Sequence, residues 1–175
     1  MTATTWTAPA VKRSKAPHVA GEREMLESWL AFHRATLLTK CAGLTGDQLQ
    51  AATVEPSRLT LLGLVRHMAE MERWWFRRNA AGEPLADLYC SEDCPDGDFD
   101  DLADADPATD FETYAQECTA ADAAMAGRSL DYTFTHPKGA TITVRWVYVH
   151  MIEEYARHNG HADLLRERID ASTGV

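Results

Sequence analysis

Apolar positions recur at helical spacing in four stretches of the chain. The first stretch lies between residues 22 and 41 and the second between 59 and 81, where leucine, methionine and tryptophan return every three or four residues. A third runs from about 107 to 128, and a fourth begins between 141 and 144 and ends near 169. Glycines follow the first two stretches, as at many helix ends. The pattern therefore predicts an all-α protein with the architecture of a four-helix bundle.

Two of the connections between these helices have a composition of their own. Residues 83–107 contain eight aspartates and three prolines, which predicts a long acidic loop exposed to solvent between helices two and three, with a length that suits a lid. Residues 130–143 alternate polar and apolar side chains around Pro137 and Gly139. This second pattern predicts a short β-hairpin or an extended turn before helix four.

The length and composition predict one folded domain. The chain has 175 residues, of which 45% are hydrophobic and 25% charged, as in ordinary globular proteins. Residues 1–20 are rich in proline and threonine and carry a small basic cluster, so we expect a loosely ordered N-terminal tail. The expected bundle domain then covers residues 21–170, and residues 171–175 form a C-terminal tail.

The charge balance limits the partners that we expect. The formal net charge is −10, which repels phosphate backbones and makes a nucleic acid an unexpected partner. No apolar run is long enough to span a bilayer, and the N-terminus lacks the apolar core of a signal peptide, so we expect no membrane partner and a cytoplasmic location. The aromatic run Trp74–Trp75–Phe76 is expected to pack on the first helix or on a dimer partner, with contact to a substrate as the alternative, and a homodimer is therefore one expectation.

The fourth helix carries polar residues inside its apolar stripe. At about 100° per residue, Glu154, His158 and His161 fall within about 40° of the line through Val147 and Leu165. They therefore point into the bundle. A buried carboxylate needs a cation or a hydrogen-bond donor beside it, because an unpaired buried charge is costly.

A divalent metal ion would meet that need. Glu154 and His158 are four residues apart, which places both on one face of a helix within reach of a single ion. His67 lies in the apolar stripe of the second helix and supplies a third candidate ligand. Three such ligands leave coordination positions open, as in catalytic metal sites. The alternative interpretation is a buried hydrogen-bond network among the same three side chains.

Three segments of the chain resemble one known superfamily. They are EREMLESWLAFHRATLL at 22–38, PSRLTLLGLVRHMAEMERWWFRR at 56–78 and RWVYVHMIEEYARHNGHADLLRERID at 145–170. In these segments the sequence resembles the DinB/YfiT-like metal-binding four-helix bundles, in particular the branch related to mycothiol-dependent maleylpyruvate isomerase. The family's metal ligands fall on His67, Glu154 and His158. Many members have histidine where Glu154 stands, whereas the isomerase-like branch has glutamate.

The resemblance implies thiol chemistry at a divalent metal, most often zinc or nickel. Members of the superfamily use low-molecular-weight thiols such as mycothiol, bacillithiol or glutathione, with the metal-bound thiolate as nucleophile. A bound metal favours the thiolate near neutral pH. The expected function is therefore S-transfer or thiol-assisted isomerisation on a small-molecule substrate. His161 is the candidate catalytic residue, as a general base that takes the thiol proton or as a group that supports the ligand His158.

Two other functions fit the same sequence features. The first is a bundle that binds a metal or a small ligand without catalysis, in a stress-related role. The second is a metal-dependent hydrolase, in which Glu154 or His161 activates water. Cys90 and Cys94 are four residues apart in the acidic loop, but a zinc site needs further close ligands. We expect these two cysteines to be exposed or packed thiols.

Overall fold

The computed structural model describes residues 5–173, and four long helices dominate it. They are α1 (Glu22–Cys41), α3 (Leu61–Glu72, continued by a π-helical segment over Arg73–Ala80), α5 (Pro107–Met125) and α6 (Val144–Asp170). Two short helices, α2 (Gly46–Gln50) and α4 (Gly97–Asp100), lie in the connections. The predicted all-α four-helix bundle is confirmed. None of the helices in residues 5–173 is long and apolar enough to cross a membrane.

Polar residues cap three of the four long helices at their N-termini, whereas α1 begins after Gly21 without a side-chain cap. The Thr60 hydroxyl accepts a hydrogen bond from the amide of Gly63 at the start of α3, and Thr143 does the same for Trp146 at the start of α6. Asp106 caps α5, where Pro107 occupies the first helical position. These caps define where the helices that carry the candidate ligands begin.

The predicted hairpin is present before α6. Strands β1 (Thr133–Thr135) and β2 (Thr141–Thr143) pair in antiparallel register, with Phe134 opposite Ile142. The hairpin leads directly into α6 and places its turn beside the π-helical segment, because the ring of His136 stacks on that of Trp75.

A polar network joins the four long helices inside the apolar core. Arg34 of α1 donates two hydrogen bonds to the carboxylate of Glu72 in α3, at 2.6 and 2.7 Å. The hydroxyl of Tyr155 in α6 donates to the same carboxylate at 2.8 Å, and it lies 3.0 Å from the hydroxyl of Tyr114 in α5. A buried ion pair with satisfied hydrogen bonds fixes how the helices are arranged, because losing either partner leaves an uncompensated charge.

The second predicted helix is not regular along its whole length. At Arg73 the backbone changes to π-helix, and the amide of Ala81 bonds to the carbonyl of Phe76, five residues back. Within this segment the side chain of Asn79 also donates to the carbonyl of Trp74 at 2.7 Å. Periodicity in the sequence did not predict this change of helix type.

The acidic segment contains an element that the sequence did not predict. We expected residues 83–107 to be a solvated loop, but α4 lies within it and Asp98 is buried. Gly97 permits this arrangement, because a Cβ atom there would lie 2.3 Å from the carbonyl oxygen of Tyr89. The expectation of a loop is wrong for this part of the segment.

The N-terminal residues contact the bundle. Ala8 is buried, its amide bonds to the carbonyl of Leu44, and the ring of Trp6 packs edge-on against Phe111. The expected tails at 1–20 and 171–175 include residues 1–4 and 174–175, which lie outside the described residues. The domain boundary at residue 21 stays a prediction.

Candidate metal centre

Helix α3 presents His67 toward α6. The imidazole is half-buried, and its Nδ1 lies 2.7 Å from Oδ2 of Asp98 in α4. The ring of Phe99 stacks on the imidazole with 4.9 Å between centroids. A carboxylate at Nδ1 holds the proton there and leaves Nε2 unprotonated, which is the form of histidine that binds metals.

Helix α6 presents Glu154 and His158 one turn apart. Oε2 of Glu154 lies 3.4 Å from Nε2 of His158, and both side chains are largely buried. The other carboxylate oxygen, Oε1, accepts a hydrogen bond from Arg157. The helical angles put Arg157 on the solvent side, but its long side chain reaches back to the carboxylate. The charge of Glu154 therefore has a partner, and Oε2 faces His158.

The structure brings the three predicted ligands together. One donor atom from each of His67, Glu154 and His158 lies within 4.8 Å of the others, and the two imidazole centroids are 4.8 Å apart. Two imidazoles and a carboxylate are the donors that zinc and nickel take in proteins. The donor set thus fits a divalent transition metal.

The protonation state of His158 also suits a ligand. Burial, and after it the electrostatic influence of His67, His161 and Arg157, lowers the pKa of His158 to about 3. The imidazole is therefore neutral at physiological pH. A neutral imidazole has a lone pair for a metal and does not need to lose a proton first.

His161 lies beside the donor set and outside it. Its Nδ1 is 3.3 Å from Nδ1 of His158, so one ring donates a hydrogen bond to the other. His161 also lines a small cavity of about 230 Å³. The other lining residues are mostly apolar and come from α6 and the segment before α3: Val54, Ser57, Leu59, Leu164 and Leu165.

The comparison with protein families concerns most of the chain. A family model described as mycothiol-S-transferase matches residues 25–171, which include the three clustered donors and His161. The chain belongs to the mycothiol-S-transferase family. This family is part of the DinB-like superfamily, so the resemblance of the sequence to that superfamily is confirmed. No curated protein and no solved structure gives a significant match.

The thiols of this mycothiol-S-transferase family member do not join the donor set. All four cysteines are free, and neither cluster of candidate ligands in residues 5–173 contains a cysteine. Burial raises the pKa of Cys90 to about 11, and burial raises the pKa of Cys41 and of Cys118 to about 12. These three thiols are protonated at neutral pH and are poor nucleophiles.

Sequence analysis missed two residues near the donors in this family member. Asp98 is one of eight aspartates in its segment, and nothing in their spacing sets it apart. His150 lies at the edge of the apolar arc, and its Nε2 is 3.9 Å from Oε1 of Glu154. His150, Glu153 and Glu154 form a second, overlapping group of candidate ligands, in which Glu153 is exposed to solvent.

Proposed function

We propose that this protein is a divalent-metal-dependent enzyme that uses a low-molecular-weight thiol of the mycothiol type for S-transfer or thiol-assisted isomerisation. The observation that carries the proposal is the convergence of His67, Glu154 and His158 within 4.8 Å, in a chain of the mycothiol-S-transferase family. Three protein donors leave coordination positions for a water or a substrate atom, as in catalytic sites. The finer assignment of residues below belongs to the same proposal.

The three donors would hold the metal, and Asp98 would orient the first of them. When bound, the metal favours the thiolate form of a substrate thiol and so supplies a nucleophile near neutral pH. Asp98 keeps the proton of His67 on Nδ1, and Arg157 holds one oxygen of Glu154. Both contacts fix side-chain orientation before a substrate arrives.

The nucleophile in this proposal comes from the co-substrate. Cys41, Cys90 and Cys118 have raised pKa values because they are buried, and Cys90, the least raised of the three, has a pKa of about 11. The protein therefore offers no thiolate from these residues at neutral pH. A small thiol that loses its proton at the metal centre supplies the sulfur that the family name implies.

His161 is the proposed general base. Its Nδ1 lies 3.3 Å from Nδ1 of His158, so the imidazole stands at the edge of the donor set, where a thiol bound there would lose its proton. The ring contacts His158 and also lines the cavity of about 230 Å³. A proton that His161 accepts is removed from the donor set without protonating any of the three ligands.

Metal content tests the ligand assignment. The protein is purified without a metal-affinity step and analysed for elements, beside Glu154→Ala and the control Glu167→Ala, whose carboxylate is exposed on the same helix and belongs to neither group of candidate ligands. We expect about one divalent ion per chain in the wild type and in Glu167→Ala, and a strong reduction in Glu154→Ala. Equal metal content in all three proteins contradicts the ligand set.

Thiol dependence tests the reaction. The zinc-loaded and nickel-loaded proteins are incubated with mycothiol and 1-chloro-2,4-dinitrobenzene, and loss of the thiol is followed together with formation of the thioether. In this step the sulfur forms a bond to the ring carbon, chloride leaves with the electron pair, and the thiol proton passes to solvent. Turnover of ester or amide probes without thiol indicates a hydrolase instead. Full metal content without turnover of any electrophile supports a binding protein.

A further inference from the structure

Four rings from three elements form a cluster next to the donor set. They are Trp75 of the π-helical segment, His136 of the hairpin turn, and Trp146 and His150 of α6, and we refer to these four residues as the aromatic platform. Trp146 and His150 stack at 4.7 Å with 19° between planes. Trp75 lies 5.2 Å from Trp146, 4.8 Å from His150 and 5.5 Å from His136. The platform is thus continuous.

The aromatic platform and the donor set share one seam between two helices. Along α6, His150 precedes Glu154 by one turn, and its Nε2 lies 3.9 Å from that carboxylate. Along the partner helix, His67 faces His158 and, two turns later, Trp75 faces His150. The step from Glu154 to Trp146 is eight residues, about 12 Å of helix. A small molecule lying on the platform therefore reaches the donor set.

Backbone features hold two of these rings in place. The π-helical segment changes the helical phase at Trp75, and π-helical insertions occur frequently at functional sites. In the hairpin turn, the amide of His136 donates to the carbonyl of Ala140 at 2.8 Å, and the amide of Lys138 donates to Nδ1 of His136 at 3.1 Å. The His136 ring is therefore fixed against Trp75 in a turn that is otherwise exposed.

The platform is partly open to solvent. Trp146 is 44% exposed, while Trp75, His136 and His150 are half-buried. An indole at the surface exposes apolar area to water, and clusters of exposed rings commonly mark binding sites. The open face of the platform lies at the end of the seam away from the cavity at His161.

We propose that the aromatic platform binds the electrophilic substrate, and that this substrate carries a planar, electron-poor ring or conjugated system. The proposal rests on the proposed function, because it assigns the second substrate of the same site. An acceptor of a thiolate is electron-poor, and the indole of tryptophan is the most electron-rich aromatic side chain, so the two faces attract when they stack. The seam then places the acceptor beside the sulfur held at the donor set.

Equilibrium dialysis with 2,4-dinitroaniline tests this binding site without turnover. The compound is a planar, electron-poor and unreactive probe, and its absorbance reports the bound amount. Trp146→Ala is compared with wild type and with Trp29→Ala, because Trp29 is 43% exposed and lies on α1 beside Phe32 and His33. We expect binding about tenfold weaker in Trp146→Ala and unchanged in Trp29→Ala.

Three results would overturn the proposal. The first is equal affinity in wild type and Trp146→Ala. The second is that 2,4-dinitroaniline binds to Trp146→Ala but not to Leu164→Trp. The tryptophan at position 164 narrows the cavity at His161, so this result would place the probe in that cavity. The third is a dimer in light scattering that Trp146→Ala converts to a monomer, which assigns the platform to an interface between copies of the chain.

The dialysis separates this proposal from the proposed function. It is run on protein treated with a chelator and on protein loaded with zinc, and neither sample has to turn over a substrate. Binding that depends on Trp146 in a protein without metal or transferase activity supports the platform and contradicts the enzyme. Full thiol-dependent activity with unchanged binding in Trp146→Ala supports the enzyme and contradicts the platform.

Discussion

Oδ2 of Asp98 lies 2.7 Å from Nδ1 of His67, and this contact decides which nitrogen of the imidazole faces Glu154 and His158. The aspartate is buried, whereas the other seven aspartates of residues 83–107 are exposed to solvent. It comes from α4, whereas the three candidate ligands come from α3 and α6. The connection between α3 and α5 thus supplies a hydrogen-bond partner to a group of candidate ligands that lie on α3 and α6.

Removing the charge of Asp98 should weaken metal binding. In Asp98→Asn the amide still accepts a hydrogen bond from His67 but no longer raises the basicity of the ring, so we expect the metal affinity to fall about 10-fold to 100-fold. Competition with a chromophoric chelator measures this affinity. Asp101→Asn is the control, because Asp101 is exposed in the same segment. Equal losses in both variants would point to the net charge of the loop.

Gly97 should influence the metal centre through the backbone. A methyl group there meets the carbonyl oxygen of Tyr89 at 2.3 Å, so Gly97→Ala has to move α4 and with it Asp98. We expect weaker metal binding, as in Asp98→Asn. Gly160→Ala is the control, since nothing lies within 4 Å of its Cβ position and alanine favours the helix by about 1 kcal/mol. Unchanged affinity in Gly97→Ala would show that α4 adapts without moving Asp98.

Glu117 should make stability depend on pH in acid. Burial alone raises the pKa of Glu117, but hydrogen bonds and charges from Arg73 and Arg77 outweigh burial and lower it below 4.5. A carboxylate with a lowered pKa stabilises the fold above its unfolded pKa, and the contribution is lost as pH falls through the folded value. We expect Glu117→Gln to cost about 2 kcal/mol at pH 7, because two half-buried arginines lose charge-assisted hydrogen bonds, although Arg77 keeps those to Glu83.

Urea unfolding at pH 7 and pH 3 measures that cost. The difference between Glu117→Gln and wild type should shrink at pH 3, because below pH 4.5 the unfolded chain binds a proton at this carboxyl more readily than the native protein does. Glu112→Gln on the exposed side of α5 serves as the control and should change stability little at either pH. A cost that is the same at both pH values would assign the effect to packing and not to charge.

The sequence predicted the bundle and the clustered donors because both follow from local periodicity. Helical angles placed Glu154 and His158 on one inward face, and the apolar stripe around His67 placed that residue inward as well. The distance of 4.8 Å between the donors agrees with that reasoning. Their role as metal ligands stays a prediction, as does the role of His161.

The other features around the donor set depend on tertiary contacts that no local sequence pattern predicts. Asp98 is buried because Gly97 packs on a carbonyl of residue 89, and the sequence does not show that approach. Trp75 meets Trp146 through a π-helical change of phase, which the regular period of the segment hides. The carboxylate of Glu72 sits in an apolar stripe like that of Glu154, yet its partners are Arg34 and Tyr155.

His161→Gln should separate catalysis from metal binding. Glutamine can keep a hydrogen bond to His158 but does not accept a proton near neutral pH, so we expect unchanged metal content and a thiol-dependent rate lower by about 100-fold to 10,000-fold. The limb of the pH–rate profile that reports the pKa of this base should also disappear in His161→Gln. His18→Gln is the control, since His18 is exposed in the N-terminal segment. Loss of metal in His161→Gln would instead assign His161 to holding His158, because the two Nδ1 atoms lie 3.3 Å apart.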